Sequence, residues 1–209
     1  MTETLAIRNA DCLLTVTATQ QAPGQLDLRY QVHNHGQLPL YLCNQLYELP
    51  ASNPDSIPQL LPDLVHIQVE PEGVHLDKAL MDLSFREGIR VLDIPYLTQV
   101  LPDHSYEQAL RLALPLRPYR VHGNQPSQAP PALLPLRFSL GYFKGQQGIT
   151  AYEVADGPPT DTYQVAPSRN KEQQLLTVGP FKEVVPVADT LLNTTPAQAA
   201  SAEQWTPWG

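Results

Sequence analysis

Hydrophobic and polar residues alternate along most of this chain with a period of two, the pattern of strands buried on one face. In residues 11–20, Cys12, Leu14, Val16 and Ala18 share one side, and Thr15, Thr17 and Thr19 the other. After Ala22-Pro23-Gly24, Leu26, Leu28, Tyr30 and Val32 alternate with Asp27, Arg29, Gln31 and His33. Two such runs around a short Pro-Gly turn predict an antiparallel hairpin. Residues 40–47 differ, because Leu40, Leu42 and Leu46 lie on one side and Tyr41, Cys43 and Tyr47 on the other. That pattern predicts a strand covered on both faces. Val65, Ile67 and Val69 then alternate with His66, Gln68 and Glu70, Pro71-Glu72-Gly73 turns the chain, and residues 74–80 return.

Further along, weak strands are expected near Val91 and Leu97, and a clearer one through Leu110, Leu112 and Leu114. Leu136, Phe138, Leu140 and Tyr142 form the most aromatic core face, followed by the hairpin loop Gly145-Gln146-Gln147-Gly148 and a return strand with Tyr152 and Val154. Short strands are expected at 162–165 and 175–178, and an edge piece at 181–187. Residues 51–63 and 115–135 are proline-rich and read as the long connections that cross between two sheets.

Composition supports the same picture. The 209 residues include 22 prolines, about twice the usual share of roughly 5%. Prolines spread through apolar segments oppose long helices, since each removes a backbone donor and clashes with the preceding turn. The expected fold is an all-β, antiparallel two-sheet sandwich over residues 1–187, with 188–209 as a frayed polar tail. In general outline it resembles an immunoglobulin-like sandwich. The resemblance stops at architecture, because the Cys…Trp…Cys core of antibody domains is missing: both tryptophans fall in the last five residues.

Charge excludes some functions. With 13 Lys and Arg and a net charge of −8, the chain lacks the cations to neutralise a row of phosphates, so nucleic acid is not an expected partner. An anionic membrane surface is disfavoured for the same reason. The first residues show no basic and apolar leader, and no apolar run is long enough to span a bilayer, so a soluble cytoplasmic protein is expected. In that compartment Cys12 and Cys43 are expected as free, buried thiols.

The chemistry-bearing residues are few. His33-Asn34-His35 places two imidazoles on one side of an extended strand, where both can face one metal ion. A third ligand would have to come from Glu48, His66 or His75, and solvated residues at a strand end are the simpler account. Gly-x-Ser-x-Gly is absent, and Ser84, Ser105 and Ser139 carry no nucleophile signature. Glu70 and Glu72 bracket Pro71 in a turn, where solvation explains them. The terminal Trp205-Thr-Pro-Trp208-Gly209 either folds back on the domain or docks on a partner, since exposed tryptophan is unusual and Trp is enriched at interface anchors. Three functions follow as expectations. The first is a non-enzymatic protein-interaction or accessory module without a cofactor, using the tail or a sheet edge. The second is a small-molecule or carbohydrate binder with Tyr47, Tyr96 and Tyr119 lining a groove. The third is a metal-dependent enzyme using His33 and His35.

Overall fold

A computed structural model describes residues 2–22, 24–48, 59–86, 89–118, 130–151 and 162–188. In chain order the strands are β1 (Thr2–Arg8), β2 (Cys12–Ala22), β3 (Gln25–Asn34), β4 (Leu40–Gln45), β5 (Tyr47–Glu48), β6 (Gln59–Leu60), β7 (His66–Glu70), β8 (Gly73–Lys78), β9 (Met81–Arg86), β10 (Ile89–Asp93), β11 (Tyr96–Val100), β12 (Ser105–Ala113), β13 (Ala132–Lys144), β14 (Ile149–Ala151), β15 (Thr162–Val165), β16 (Gln174–Val178) and β17 (Val184–Val187). A 3-10 helix, Pro167–Glu172, separates β15 from β16.

The fold is all-β, built on two main sheets that do not close into a barrel. The smaller sheet runs β1-β2-β3-β12 and is antiparallel throughout. The larger runs β14-β15-β11-β4-β13-β8-β7, with β16 and β17 also paired to β13. Its long central strand organises it. Tyr142 pairs with Leu42 of β4 and with Gln174 of β16, so those strands occupy opposite edges of β13. Phe138 likewise pairs with Leu76 of β8 and Val178 of β16, which puts β8 on the same edge as β4.

Alternation produces the core. Leu14, Val16, Leu28, Tyr30 and Leu110 from the smaller sheet meet Leu76, Leu136, Phe138 and Leu140 from the larger in one apolar cluster. Tyr30 and Phe138 lie ring to ring at 5.2 Å. The two-sided strand expected at 40–47 is present: Leu40 and Leu42 face that cluster, while Tyr41 and Cys43 join Leu97, Phe143 and Val165 in a second one. Cys12 and Cys43 are both free and buried, and they belong to different clusters. Burial pushes the Cys12 thiol up to about 11, with the Asp11 charge adding to the effect.

The expectation of an entirely antiparallel sandwich is corrected at one ladder, because β8 and β13 run parallel from Val74↔Leu136 to Lys78↔Leu140. More than fifty residues separate the two strands, so no hairpin dictates their direction, and a parallel neighbour needs only a long crossover. Proline placement also differs from expectation. Pro135, read as the end of a connection, lies inside β13 opposite Val184, and Pro186 lies inside β17 opposite Leu133.

The turn after β3 is held by a fully buried side chain. Asn34 Nδ2 donates to the carbonyls of Leu38 and Val100, each at 2.9 Å, and Oδ1 accepts from Gly36 N at 3.0 Å. Asn34→Ala leaves buried carbonyls without donors. It is expected to lower unfolding free energy by about 2 kcal/mol, read as a shift in urea midpoint at constant slope.

Candidate functional site

The β7–β8 hairpin brings together, among the described residues, three side chains that can ligate a metal, Glu70, Glu72 and His75. Ile67 and Val69 pack toward the main core, and Val74 and Leu76 enter it. Alternation therefore sends His66, Gln68 and Glu70 from β7, and His75 and Asp77 from β8, to the opposite side of the sheet. Pro71 and Glu72 form the two-residue turn, with Glu70 opposite Gly73. Gly73 has φ +147°, and any Cβ there would run into the Pro135 carbonyl, so glycine lets β8 lie against β13.

Register orders this face into rows. One row is Gln68, His75 and Arg137; the next is His66, Asp77, Ser139 and Thr177. Asp77 is buried, and burial raises its carboxyl pKa, while the Ser139 hydroxyl and the nearby His75 and His66 rings pull it back. Ser139 Oγ lies 3.1 Å from Thr177 Oγ1. With the Ser139 hydroxyl donating to Asp77, the Thr177 hydroxyl donates to Ser139. At 1% exposure, Ser139 Oγ is closed to a substrate carbonyl.

On this face His75 Nε2 and Arg137 Nε are sealed from water and make no hydrogen bond. Such groups are rare in folded proteins and each calls for an explanation. Glu70 Oε2 stands 3.5 Å from His75 Nε2, an ion-pair separation if the ring is protonated but too long for a good hydrogen bond. The donor atoms of Glu70, Glu72 and His75 all fall within 4.8 Å of one another.

The residues singled out from sequence scatter. His33 Nδ1 lies 3.1 Å from Ser105 Oγ on β12, whereas His35 Nε2 lies 3.1 Å from the Asn9 carbonyl between β1 and β2. The two rings thus engage different neighbours, and neither belongs to a group of three metal-ligating side chains among the described residues. Tyr47 and Tyr96 pair with ring centroids 5.1 Å apart. Tyr96 is buried, so its face is not presented for stacking. Tyr119, Trp205 and Trp208 lie outside the described residues, as does the whole tail from 189.

Two other polar groupings are internally satisfied. Between the sheets, Lys78 Nζ donates to the carbonyls of Asn44 at 2.8 Å and Pro62 at 2.9 Å. Burial pushes its ammonium down to about 7, against the pull of Asp63. On the outer face of the smaller sheet, an open groove is lined by Thr17, Thr19, Asp27, Arg29, Asp63 and Arg111. Its charges are already paired: Arg111 Nε lies 3.4 Å from Asp27, Arg29 bonds Glu107, and Asp63 Oδ1 accepts from Arg111 N at 2.9 Å.

Comparison with protein-family models, curated proteins and solved structures finds no match to this chain. Among the described residues no helix is long and apolar enough to cross a membrane.

Proposed function

We propose that this chain is a non-enzymatic protein-interaction module of the cytoplasm, an immunoglobulin-like sandwich whose β7 edge receives an extended segment of another protein. The observation that carries the reading is the edge itself. β7 pairs with β8 through five residues and, among the described residues, with nothing on its other side. A free edge presents backbone donors and acceptors that template a further strand. The strand His-Ile-Gln-Val-Glu has neither proline nor lysine, the residues that most often protect an edge. All five of its residues are half-buried, so the strand lies against the body of the sheet. β1 offers a longer edge, but its side chains are largely exposed.

Val69→Pro tests the idea with little effect on the hairpin. In a two-residue hairpin the pair flanking the turn, Glu70 and Gly73, is hydrogen-bonded, so the N–H of Val69 points outward. Proline there removes one outward donor and leaves the β7–β8 ladder intact. Affinity capture from an extract of the source cells is expected to retain a partner on the wild-type chain and lose it on the variant, with unchanged far-ultraviolet circular dichroism. Equal retention by both chains would overturn the reading.

A further inference from the structure

We propose that Glu70, Glu72 and His75 form a seat for one divalent transition-metal ion at the tip of the β7–β8 hairpin. The inference does not depend on the partner reading, since the ion needs only this chain. Its first support is convergence: an imidazole nitrogen and two carboxylates lie within 4.8 Å. Tetrahedral ligands each about 2.1 Å from a zinc ion stand about 3.4 Å apart, so side-chain rotations that move the donor atoms by about 1 Å close the set. The hairpin supplies this geometry by itself. Glu70 faces Gly73, which has no side chain, so the carboxylate meets the ring of His75 diagonally across the ladder.

The second support is the state of the donors. His75 Nε2 is shut off from solvent and makes no hydrogen bond. Among the described residues Glu72 has neither a hydrogen bond nor an ion pair, and Glu70 has only the 3.5 Å approach of His75. Two carboxylates held this close repel one another, and a dication removes that repulsion while giving the ring nitrogen a partner. Nitrogen and oxygen donors of this kind suit zinc or manganese, with the remaining positions open to water or to a ligand. The neighbouring cation does not occupy the seat. The stem of Arg137 packs over Gly179, on the edge of β13 opposite β8.

Chelator-stripped full-length chain titrated calorimetrically with zinc chloride near neutral pH is expected to bind one ion. His75→Ala and Glu72→Gln are each expected to weaken binding by at least about 10-fold, the loss seen even when only a group supporting a ligand is removed. Glu72 is exposed in the turn, so its variant keeps the test valid should His75→Ala misfold. The double variant His33→Ala/His35→Ala is expected to bind as the wild type does. Uptake well below one ion per chain, or equal affinity in Glu72→Gln and wild type, would overturn the proposal. Partner loss in Val69→Pro with zinc binding intact would separate this site from the edge.

Discussion

Lys78→Met is expected to abolish most of the stability that the protein gains between neutral and alkaline pH, and to make the two stability curves cross. Lys78 is fully buried, and burial brings its ammonium from 10.5 down to about 7. Below about 7 both the folded and the unfolded chain carry the proton, and the full penalty of burying the charge is present. As pH rises through that value the folded lysine sheds its proton, while the unfolded one keeps it until about 10.5. The unfolded chain then binds more protons, so stability climbs across this window and levels off above it. At about 1.36 kcal/mol per pH unit the gain is on the order of 5 kcal/mol. Methionine removes the charge but also a donor. Pro62 O still accepts from Gln108 Nε2 at 3.1 Å, so the Asn44 carbonyl is the acceptor left bare. That loss is worth about 1–3 kcal/mol. The variant is therefore more stable than wild type at mildly acidic pH and less stable once the wild-type amine is neutral. Urea unfolding at a series of pH values checks this. The difference between the two proteins is the quantity to read, because thiols such as Cys12, raised from 9.0 to about 11, oppose the trend in both chains at high pH. Parallel curves for the two proteins would show that Lys78 keeps an ordinary proton affinity.

The hairpins and the core faces were legible in the sequence because each depends only on neighbours in the chain. Cys12 to Ala18, Leu26 to Val32 and Leu136 to Tyr142 alternate strictly, and all of them face the shared core. Elements with weaker alternation escaped. β1 carries Thr2, Glu3 and Thr4, β9 follows β8 without a clear turn signal, and the 3-10 helix starts at Pro167. The parallel ladder of β8 and β13 was invisible in principle, since strand direction across so long a separation leaves no local mark. The same distinction separates the candidate sites. His33 and His35 share a side of the chain, yet their partners come from β12 and from the β1–β2 connection. Glu70 and Glu72 read as a solvated turn because the sequence pairs His75 with no ligand except, through an unseen fold, His33 and His35. The pattern Glu-Pro-Glu-Gly-Val-His does hold a signal: in a two-residue hairpin it sets the residue before the turn diagonally across from the third residue of the returning strand. Alternation puts Lys78 on the same side of β8 as Val74 and Leu76, but nothing local shows what would receive an ammonium there. Its acceptors, Asn44 and Pro62, are brought to it by other segments.

Gly73→Ala is expected to lower the melting temperature by roughly 10 °C, while Gly24→Ala, with the same chemical change, lowers it far less. Both glycines have positive φ, +147° at Gly73 and +104° at Gly24, so alanine pays a conformational cost at each, about 1–2 kcal/mol. They differ in what a methyl group meets. At Gly24 nothing lies within 4 Å, whereas at Gly73 the Cβ would collide with the Pro135 carbonyl and lie 3.3 Å from its carbon. That obstacle is backbone in a long central strand, so no side chain can swing away. Relief requires β8 to move off β13 and loosen the ladder that begins at Val74 and Leu136, two fully packed core residues. Overpacking of this kind adds about 1–3 kcal/mol, and for a chain of this size each kcal/mol shifts the midpoint by about 2–4 °C. Thermal unfolding of the two variants side by side separates the terms: Gly24→Ala reports the backbone conformation alone, and the excess at Gly73 reports the approach of the two parallel strands. Equal shifts would mean that β8 does not lie against β13 at Pro135, and the hairpin tip carrying Glu70, Glu72 and His75 would then lose the support that sets its geometry.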